Sequence, residues 1–498
     1  MTTTLDAIKQ FIETPLETVL QQHLKNSAQA HITQLADTVY AEVLAYQHFL
    51  KEQGLHFKPP CDPTLFEQLP AVTKNNYLRV YPLDQLCRSQ DLAANDMIAA
   101  SSGSTGEAMF WPRHSVHELD IARRFEHIFV GAFKADQRKT LAVVCFALGN
   151  WVGGIYSANC IRTLQLKDYP ITMVTPGSNP AEIFRCVEKL APYFDQTVLL
   201  GYPPFIKDVI DQGIERGLDW QTMQLKFVLA GEVFSEEWRS LVAERAGNIE
   251  VYSSFSSLYG TADAGVLGNE TPLSIAIRRF LSQNPEATRT LFGESRLPTL
   301  VQYDPMSRYF ETLGDTLMVS GDNGVPLLRY HIADKGGLIS FAEMMAFIKD
   351  HHFDLNSLNL DLALDMAAQL PFAYIFGRSD FTVSYFGANI YPENITVGLE
   401  QTQVHRSVSG KFVLEVITLE DQDKRLAIAV ELRPGIEAND ALHEAVAESV
   451  LFHLKRLNSE FTHYVPAVKQ APIITLKPHG DPEYFPPGVK HRYTRKTM

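Results

Sequence analysis

Five short apolar segments between residues 140 and 257 constrain the fold of this chain more than any other feature of its sequence. Segments with helical periodicity separate them, such as PAEIFRCVEKL, in which Ile183, Val187 and Leu190 fall on one stripe. Strands that alternate with helices over a hundred residues predict βαβ units and a largely parallel sheet, whose ligands bind at the carboxyl ends of the strands. The five segments are TLAVVCFALG (140–149), ITMVTPG (171–177), TVLLGYP (197–203), LKFVLAGE (225–232) and IEVYSSFSS (249–257).

The regions on either side of these segments have other patterns. Residues 1–58 carry apolar side chains at helical spacing and are predicted to be mostly helical, whereas strands and turns are predicted after about residue 290. Near the C-terminus, KFVLEVITL and RLAIAVELRPG flank a polar turn and predict a hairpin, followed by a helix at Asn439–Leu457. The sequence therefore predicts an α/β fold, with a large multi-sheet N-terminal domain of alternating β/α units and a small α+β C-terminal domain.

The charge balance and the cysteines exclude several classes of protein. A total of 44 Lys and Arg against 58 Asp and Glu gives a net charge of −14 over 498 residues, which argues against a surface that coats nucleic acid. The five cysteines lack the spacing of a zinc site, so we expect no structural metal and interpret them as small apolar side chains. No apolar run approaches the ~20 residues of a membrane span, and the first residues do not resemble a signal peptide. A cytoplasmic enzyme with neither a nucleic acid nor a membrane as partner is therefore expected.

A loop rich in small and hydroxyl side chains is the strongest local signal. Small residues let backbone N–H groups approach an anion closely, and hydroxyl groups add donors, so such a loop is suited to hold phosphates. A flexible surface linker is the alternative on composition alone. The spacing of a Walker A loop is absent and Glu107 stands where a lysine would help, which disfavours a kinase or GTPase. The residues of this loop are Ser101, Ser102, Gly103, Ser104, Thr105 and Gly106.

Six segments in a fixed order extend this signal over four-fifths of the chain. They are LPAVTKNNYLRVYP (69–82), SSGSTGEAMFWP (101–112), LKFVLAGEVFSEEWR (225–239), YGTADAG (259–265), PLLRYHIAD (326–334) and GRSDFTVSYFGANIYPENI (377–395). This series resembles the adenylate-forming superfamily of acyl- and aryl-CoA synthetases, and within it the phenylacetate–CoA ligase family. Each segment alone is a weak or moderate signal, whereas the ordered series is a strong one.

The resemblance implies an AMP-forming carboxylate–CoA ligase that works in two half-reactions. A small carboxylic acid, aryl or arylacetic in this family, attacks ATP to give an acyl-adenylate and pyrophosphate, and the thiol of coenzyme A then displaces AMP. ATP, Mg²⁺ and coenzyme A are therefore the implied cofactors and co-substrates, and a homodimer is expected because relatives are often dimers. Two alternatives stay open: transfer to a carrier-protein thiol or an amine, and a degenerate nucleotide-binding homologue without turnover.

The resemblance also assigns residues to the nucleotide. The loop 101–106 would hold the β- and γ-phosphates of ATP. Gly231 and Glu232 would shape the adenine pocket, and Tyr259 would stack on adenine. Gly260 and Thr261 follow Tyr259 in the same segment, and Thr261 would replace a hydroxyl group that the family carries at the next position, where this chain has Ala262.

Three further residues are assigned to catalysis and to ribose binding. Asp263 stands where the family has a Mg²⁺-ligating glutamate, and it is interpreted as a catalytic, metal-binding carboxylate. Asp334 stands at the position of the ribose-binding aspartate, after His-Ile-Ala where the family norm is Arg-Thr-Gly or similar. Lys490 matches the C-terminal lysine that bridges the substrate carboxylate and the phosphate, with Lys477 as a rival.

The last assignments concern the domain boundary and the acyl pocket. Arg378 would contact ribose or phosphate, Asp380 would be the pivot of a mobile C-terminal domain, and Gly387 would border the pantetheine tunnel. The predicted domains are a large adenylation domain (1–377), a hinge (378–380) and a small mobile domain (381–498). The candidates for the wall of the acyl pocket are aromatic and polar residues that follow strands, namely Phe146, Asn150, Trp151 and Tyr202.

Overall fold

The five predicted strands form the parallel half of an eleven-stranded sheet in the computed structural model. These strands are β3 (Thr140–Val144), β4 (Ile171–Val174), β5 (Gln196–Gly201), β6 (Leu225–Ala230) and β7 (Phe255–Thr261). Neighbouring strands pair in parallel in the order β7-β6-β5-β3-β4. A separate antiparallel pair precedes them, formed by β1 (Met97–Ala100) and β2 (Phe110–Arg113). The predicted parallel sheet is therefore confirmed.

The structure describes most of the chain, and every structural statement below concerns the described part. It comprises residues 4–100, 109–149, 152–294, 296–358, 360, 369–378, 383–386, 388–418, 424–458, 461–462, 465–486, 491 and 493–495. The chain divides into two compact units. The large unit contains Met1–Glu232 and Val242–Phe376, and the C-terminal unit contains Val233–Leu241 and Gly377–Met498.

One of the five strands begins later than its apolar pattern predicts. The pattern starts at residue 249, whereas β7 starts at Phe255. The carboxylate of Glu250 accepts hydrogen bonds from the backbone N–H groups of Tyr252 (2.9 Å) and Ser253 (2.6 Å). This local hydrogen bonding stabilises a turn in place of the first residues of the strand.

The rest of the large sheet is antiparallel. The pairs β7–β8, β8–β9, β9–β13, β10–β11 and β11–β12 all run antiparallel. We call this part, from β8 to β13, the antiparallel half of the sheet. Its strands are β8 (Gly265–Asn269), β9 (Thr299–Gln302), β10 (Tyr309–Leu313), β11 (Thr316–Gly321), β12 (Leu327–Ile339) and β13 (Phe372–Arg378).

Helices cover the parallel half and connect its strands. Helix α9 shows why they form: Pro180 occupies its first turn, the Asn179 side chain accepts hydrogen bonds from the N–H groups at its start, and Ile183 and Val187 are buried. Helix α7 (Ser115–Glu126) precedes β3, and the connecting helices are α8 (Val152–Gln165), α9 (Pro180–Leu190), α10 (Pro203–Glu215) and α11 (Glu236–Arg245). Among the cysteines, four are buried and Cys186 is partly buried.

The N-terminal region is helical, as predicted. Its helices are α1 (Thr4–Glu13), α2 (Leu16–Lys25), α3 (Ala28–Glu42), α4 (Leu44–Glu52), α5 (Pro63–Gln68) and α6 (Leu83–Leu86), with a π-helical turn at Lys74–Leu78. Three more helices belong to the antiparallel half: α12 (Pro272–Gln283), α13 (Pro285–Phe292) and α14 (Phe341–Asp350). None of the helices described combines the length and the apolar character that a membrane crossing requires.

The C-terminal unit is a small α+β structure. The predicted hairpin and helix are confirmed, and a third strand pairs in parallel with the second strand of the hairpin, which was not predicted. Val446, Val450 and Leu454 lie on one face of the long helix and are fully buried. The elements are β14 (Val383–Tyr385), β15 (Ala388–Ile390), α15 (Pro392–Leu399), β16 (Val408–Thr418), β17 (Lys424–Leu432), α16 (Asp440–Leu457) and β18 (Ile473–Lys477).

Candidate functional site

Two side-chain contacts connect β7 and the turn after it with β12. The Tyr259 hydroxyl donates a hydrogen bond to Oδ2 of Asp334 at 2.8 Å. The Tyr330 hydroxyl donates one to Oδ2 of Asp263. Both carboxylates are buried. The structure therefore brings together the residues that the sequence assigned to adenine, ribose and Mg²⁺.

A lysine from the N-terminal region reaches the same carboxylate. The Lys74 Nζ atom lies 3.2 Å from Oδ2 of Asp263. Val72 holds this segment in place because its N–H donates to the Arg329 carbonyl (3.1 Å) and its carbonyl accepts from the His331 N–H (2.9 Å). The adjacent isolated bridge pairs Val72 with Tyr330, so one backbone contact places both partners of Asp263.

Sequence reasoning missed Lys74 and Tyr330 as site residues. Both lie inside segments that carry the resemblance, LPAVTKNNYLRVYP and PLLRYHIAD. A lysine one residue after a threonine N-cap was the available signal, because the Thr73 side chain accepts the Asn76 N–H at 3.0 Å and fixes the start of the π-helical turn.

Two buried arginines hold the backbone on either side of Asp263. A terminal nitrogen of Arg113 (Nη2) donates to the Ala262 carbonyl, and Nε of Arg308 donates to the Ala264 carbonyl at 3.1 Å. Both arginines are almost inaccessible to solvent. Burying a guanidinium group is unfavourable unless it is paired, so these contacts strongly constrain the turn that carries Asp263.

An acidic side chain accompanies these arginines. Burial raises the pKa of the Glu118 carboxyl, and the positive charge of Arg113 opposes that shift. Tyr156 belongs to the same cluster, since the Arg113 guanidinium carbon lies 5.1 Å from the centre of its ring. The turn at Asp263 therefore rests on a buried layer of charged and polar side chains.

The backbone before Asp334 has an unusual conformation. Ala333 has a φ of 65°, in the left-handed region that favours glycine. The resemblance implies glycine at about this place, and the chain adopts the conformation without it. Ala333 is exposed while Asp334 is buried, so the distortion turns the carboxylate towards Tyr259.

An aromatic patch lies at the carboxyl ends of the parallel strands. The rings of Phe146 and Tyr202 pack edge to face with their centres 5.0 Å apart. Gly231 has a φ of 88°, and a Cβ atom there would lie 2.8 Å from the Tyr202 ring. Burial and the nearby Glu232 carboxylate raise the pKa of the Tyr202 hydroxyl. The structure thus brings together four residues predicted for the acyl and adenine pockets.

The remaining predicted residues are placed only in part. The Thr261 hydroxyl oxygen accepts the Ala264 N–H at 3.1 Å and so stabilises the turn, and a Cβ atom at Gly260 would lie 2.6 Å from the Gly265 carbonyl. Arg378 ends β13, but its side chain is outside the description. The predictions that fall outside the described residues are the loop Ser101–Gly106, Asn150, Trp151, Asp380, Gly387 and Lys490.

The described surroundings of Asp263 do not suit a Mg²⁺ ion held by the protein. Mg²⁺ is commonly bound by one or two carboxylates together with substrate phosphates and waters. Here Oδ2 of Asp263 already accepts a hydrogen bond from Tyr330 and is paired with the Lys74 ammonium group. In the described part of the chain, no three His, Cys, Asp or Glu side chains are grouped as metal ligands.

Comparisons with known proteins give a fold but no family model. No protein-family model matches the sequence, and no curated protein matches it significantly. A crystal structure of 2-hydroxyisobutyryl-CoA ligase in the postadenylation state, in complex with R3-HIB-AMP, matches with a TM-score of 0.63 and 14% identity, over 95% of this chain and 89% of that chain.

Two other structures of that ligase match less closely. An open conformation with 2-HIB-AMP and CoA has a TM-score of 0.53 and 15% identity, over 94% of this chain and 91% of that chain. The thioesterification state with the same two ligands has a TM-score of 0.52 and 14% identity, over 98% of this chain and 91% of that chain. At these identities the likeness shows the fold alone. This chain therefore has the two-domain fold of the adenylate-forming ligases.

Proposed function

We propose that this protein is an AMP-forming carboxylate–CoA ligase. In the first half-reaction, a carboxylate oxygen of the acid bonds to the α-phosphorus of ATP. The bond from that phosphorus to the bridging oxygen breaks, and pyrophosphate leaves with the electron pair. In the second, the sulfur of coenzyme A bonds to the acyl carbon, AMP leaves with the electrons of the C–O bond, and the thiol proton passes to solvent.

The observation that carries this proposal is a set of two side-chain contacts, between Tyr259 and Asp334 and between Lys74 and Asp263, with Tyr259 and Asp263 only four residues apart in the chain. A carboxylate can accept two hydrogen bonds at once, which suits Asp334 to the two hydroxyl groups of a ribose. An ammonium group suits the negative charge of a polyphosphate.

The acid is proposed to be aryl or arylacetic, as in the phenylacetate–CoA ligase family. The edge-to-face pair of Phe146 and Tyr202 supports this, because an aromatic wall binds an aromatic acid through its large apolar surface. The proposed roles of the Ser/Thr/Gly loop and of Lys490 rest on the resemblance. Mg²⁺ is proposed to enter with ATP, as part of the substrate.

Coenzyme A is the proposed acceptor. The structures with TM-scores above 0.5 include complexes of 2-hydroxyisobutyryl-CoA ligase with an acyl-adenylate and CoA, which supports this choice. A carrier-protein thiol or an amine is the alternative, and no observation on the described residues favours it.

ATP–pyrophosphate exchange across a panel of carboxylic acids tests the proposal. We expect exchange with aryl or arylacetic acids, followed by CoA-dependent release of AMP and formation of an acyl-CoA. ATP binding without exchange for any acid would contradict the proposal and support a homologue without turnover. Release of AMP only with a holo carrier protein would keep adenylation and overturn the choice of acceptor.

A further inference from the structure

In the ion pair between Lys74 and Asp263, the lysine is accessible to solvent and the carboxylate is almost inaccessible. The Asp263 side chain is 5% exposed, whereas the Lys74 side chain is 32% exposed. A ligand that arrives from solvent therefore meets the ammonium group before the carboxylate. The lysine is also fixed at its base, since Val72 is hydrogen-bonded to β12 and Thr73 caps the turn that begins at Lys74.

We propose that Lys74 is the cation that receives the phosphates of ATP during adenylation, and that Asp263 positions this ammonium group instead of ligating a divalent cation. The inference rests on the proposed function and adds a catalytic residue to it. Lys74 keeps its proton throughout: it donates N–H groups to phosphate oxygens while pyrophosphate leaves. A cation that the fold already holds in place needs no reorganisation when charge develops on the phosphates.

The sequence of the phosphate loop supports a cation from elsewhere. In the sequence, Glu107 stands where a lysine would help, and the segment 101–107 contains neither lysine nor arginine. Lys74 comes from a different segment, and it pairs with Asp263 in the turn after β7, four residues beyond the Tyr259 that contacts Asp334. The placement fits the order of base, ribose and phosphate along a nucleotide.

Asp263 is better suited to hold a lysine than a metal. Both of its described partners, the Lys74 ammonium and the Tyr330 hydroxyl, use the same oxygen, Oδ2. A divalent cation at that oxygen would have to displace the ammonium group and approach its positive charge. Loss of Asp263 should therefore act through Lys74.

A double-mutant cycle tests this coupling. The variants are Lys74→Met, Asp263→Asn and the double variant, assayed for pyrophosphate exchange and for thioester formation from a synthetic acyl-adenylate and CoA. We expect Lys74→Met to lower the exchange rate by about 100-fold, the range found when one charge-stabilising donor is removed. The exchange rate of the double variant should be no lower than that of Lys74→Met, because Asp263 acts only by positioning Lys74. Thioester formation, which involves no pyrophosphate, should stay near the wild-type rate.

Controls separate this role from a structural one. Lys189→Met makes the same chemical change at an exposed lysine of α9 and should leave both half-reactions unchanged. Lys74→Arg keeps the charge and should recover part of the exchange rate. Denaturant midpoints of all variants verify that each one folds.

Three outcomes would overturn the proposal. If the losses of exchange rate multiply in the double variant, Asp263 acts independently of Lys74. If excess Mg²⁺ restores the exchange rate of Asp263→Asn, Asp263 binds metal. Equal loss of both half-reactions in Lys74→Met would show a structural lysine.

Calorimetric binding of MgATP without acid separates this inference from the proposed function. A wild-type protein that binds MgATP but exchanges with no acid refutes the function. In that case the inference is still judged by affinity, and a Lys74→Met variant that binds MgATP as tightly as the wild type refutes it.

Discussion

The two halves of the large sheet differ in the side chains at the ends of their strands. The parallel half ends in an aromatic patch, where Phe146 and Tyr202 pack together over Gly231. The antiparallel half and its turns carry buried charge, with Asp263 and Arg308 as examples. One sheet thus presents an apolar surface, proposed above for the acyl group, and a charged region, proposed above for the nucleotide.

The halves also differ in what stabilises them. Strands β3, β5 and β6 bury apolar side chains on both faces, as expected of parallel strands covered by helices. The turn at Asp263 instead depends on hydrogen bonds from arginines to backbone carbonyls. Contacts between apolar side chains tolerate small shifts of the backbone. Hydrogen bonds that a buried guanidinium group donates require a specific distance and angle.

The largest expected effect separates stability from nucleotide binding. Arg308→Leu leaves the Ala264 carbonyl and the Asn323 side chain without their donor and should lower the free energy of unfolding by about 3 kcal/mol. It should also weaken MgATP binding, because the turn that carries Asp263 loses support. Urea unfolding and calorimetry measure the two effects.

Leu199→Ala is the matched change in the parallel half. Leu199 is fully buried in β5, and its truncation should cost a similar amount, about 3 kcal/mol, while leaving MgATP affinity unchanged. If Arg308→Leu and Leu199→Ala weaken MgATP binding equally, the antiparallel half has no special role in nucleotide binding.

A partly buried lysine in the parallel half gives the next effect, a dependence of stability on pH. Lys226 donates to the Ser253 carbonyl (2.9 Å) and the Ser254 hydroxyl (3.0 Å), and burial lowers its pKa to about 8. Between about pH 8 and the ordinary value of 10.5, the unfolded chain keeps a proton that the folded protein has lost. Stability from this group therefore rises with pH in that window, by about 3 kcal/mol, and is lost as pH falls through 8.

Lys226→Met isolates this contribution. The difference between the wild-type and variant unfolding free energies should change steadily between pH 8 and 10.5 and stay constant below pH 7. A difference that does not vary with pH would show that Lys226 titrates normally.

The smallest effect concerns the distorted strand of the antiparallel half. Ala333→Gly places the residue best suited to a φ of 65° at an exposed site, so no packing is lost. We expect the protein to gain about 0.5–1 kcal/mol, the relief of left-handed strain less the extra entropy of glycine in the unfolded chain. Thermal unfolding measures the gain, and a lower melting temperature would contradict it.

The two halves also differ in how far the sequence predicts them. Three parallel strands begin at the first residue of their apolar segments and β5 begins one residue earlier, because a strand buried on both faces is a local pattern. The predicted start of β7 was wrong because the Glu250 carboxylate accepts hydrogen bonds from nearby backbone N–H groups. The C-terminal hairpin was predicted for the same local reason, whereas its parallel partner β18 was not.

Side-chain pairs between distant segments were beyond local patterns. Tyr259, Asp263 and Asp334 were named through ordered segments, yet their contacts with each other and with Tyr330 depend on how strands far apart in sequence are aligned. Lys74 was missed because its partner lies far along the chain, and the threonine N-cap before it indicates only the start of a helical turn. Arg113 and Arg308 were missed for the same reason.

The contact between Val72 and β12 has a consequence during synthesis. At about 5–20 residues per second, a ribosome takes roughly 10 to 40 s to travel from Lys74 to Asp263. Through that interval the ammonium group has no carboxylate to pair with, and the segment around Val72 has no strand to join. The segment around Val72 therefore emerges well before β12, and the candidate site is assembled from parts of the large unit that are made far apart in time.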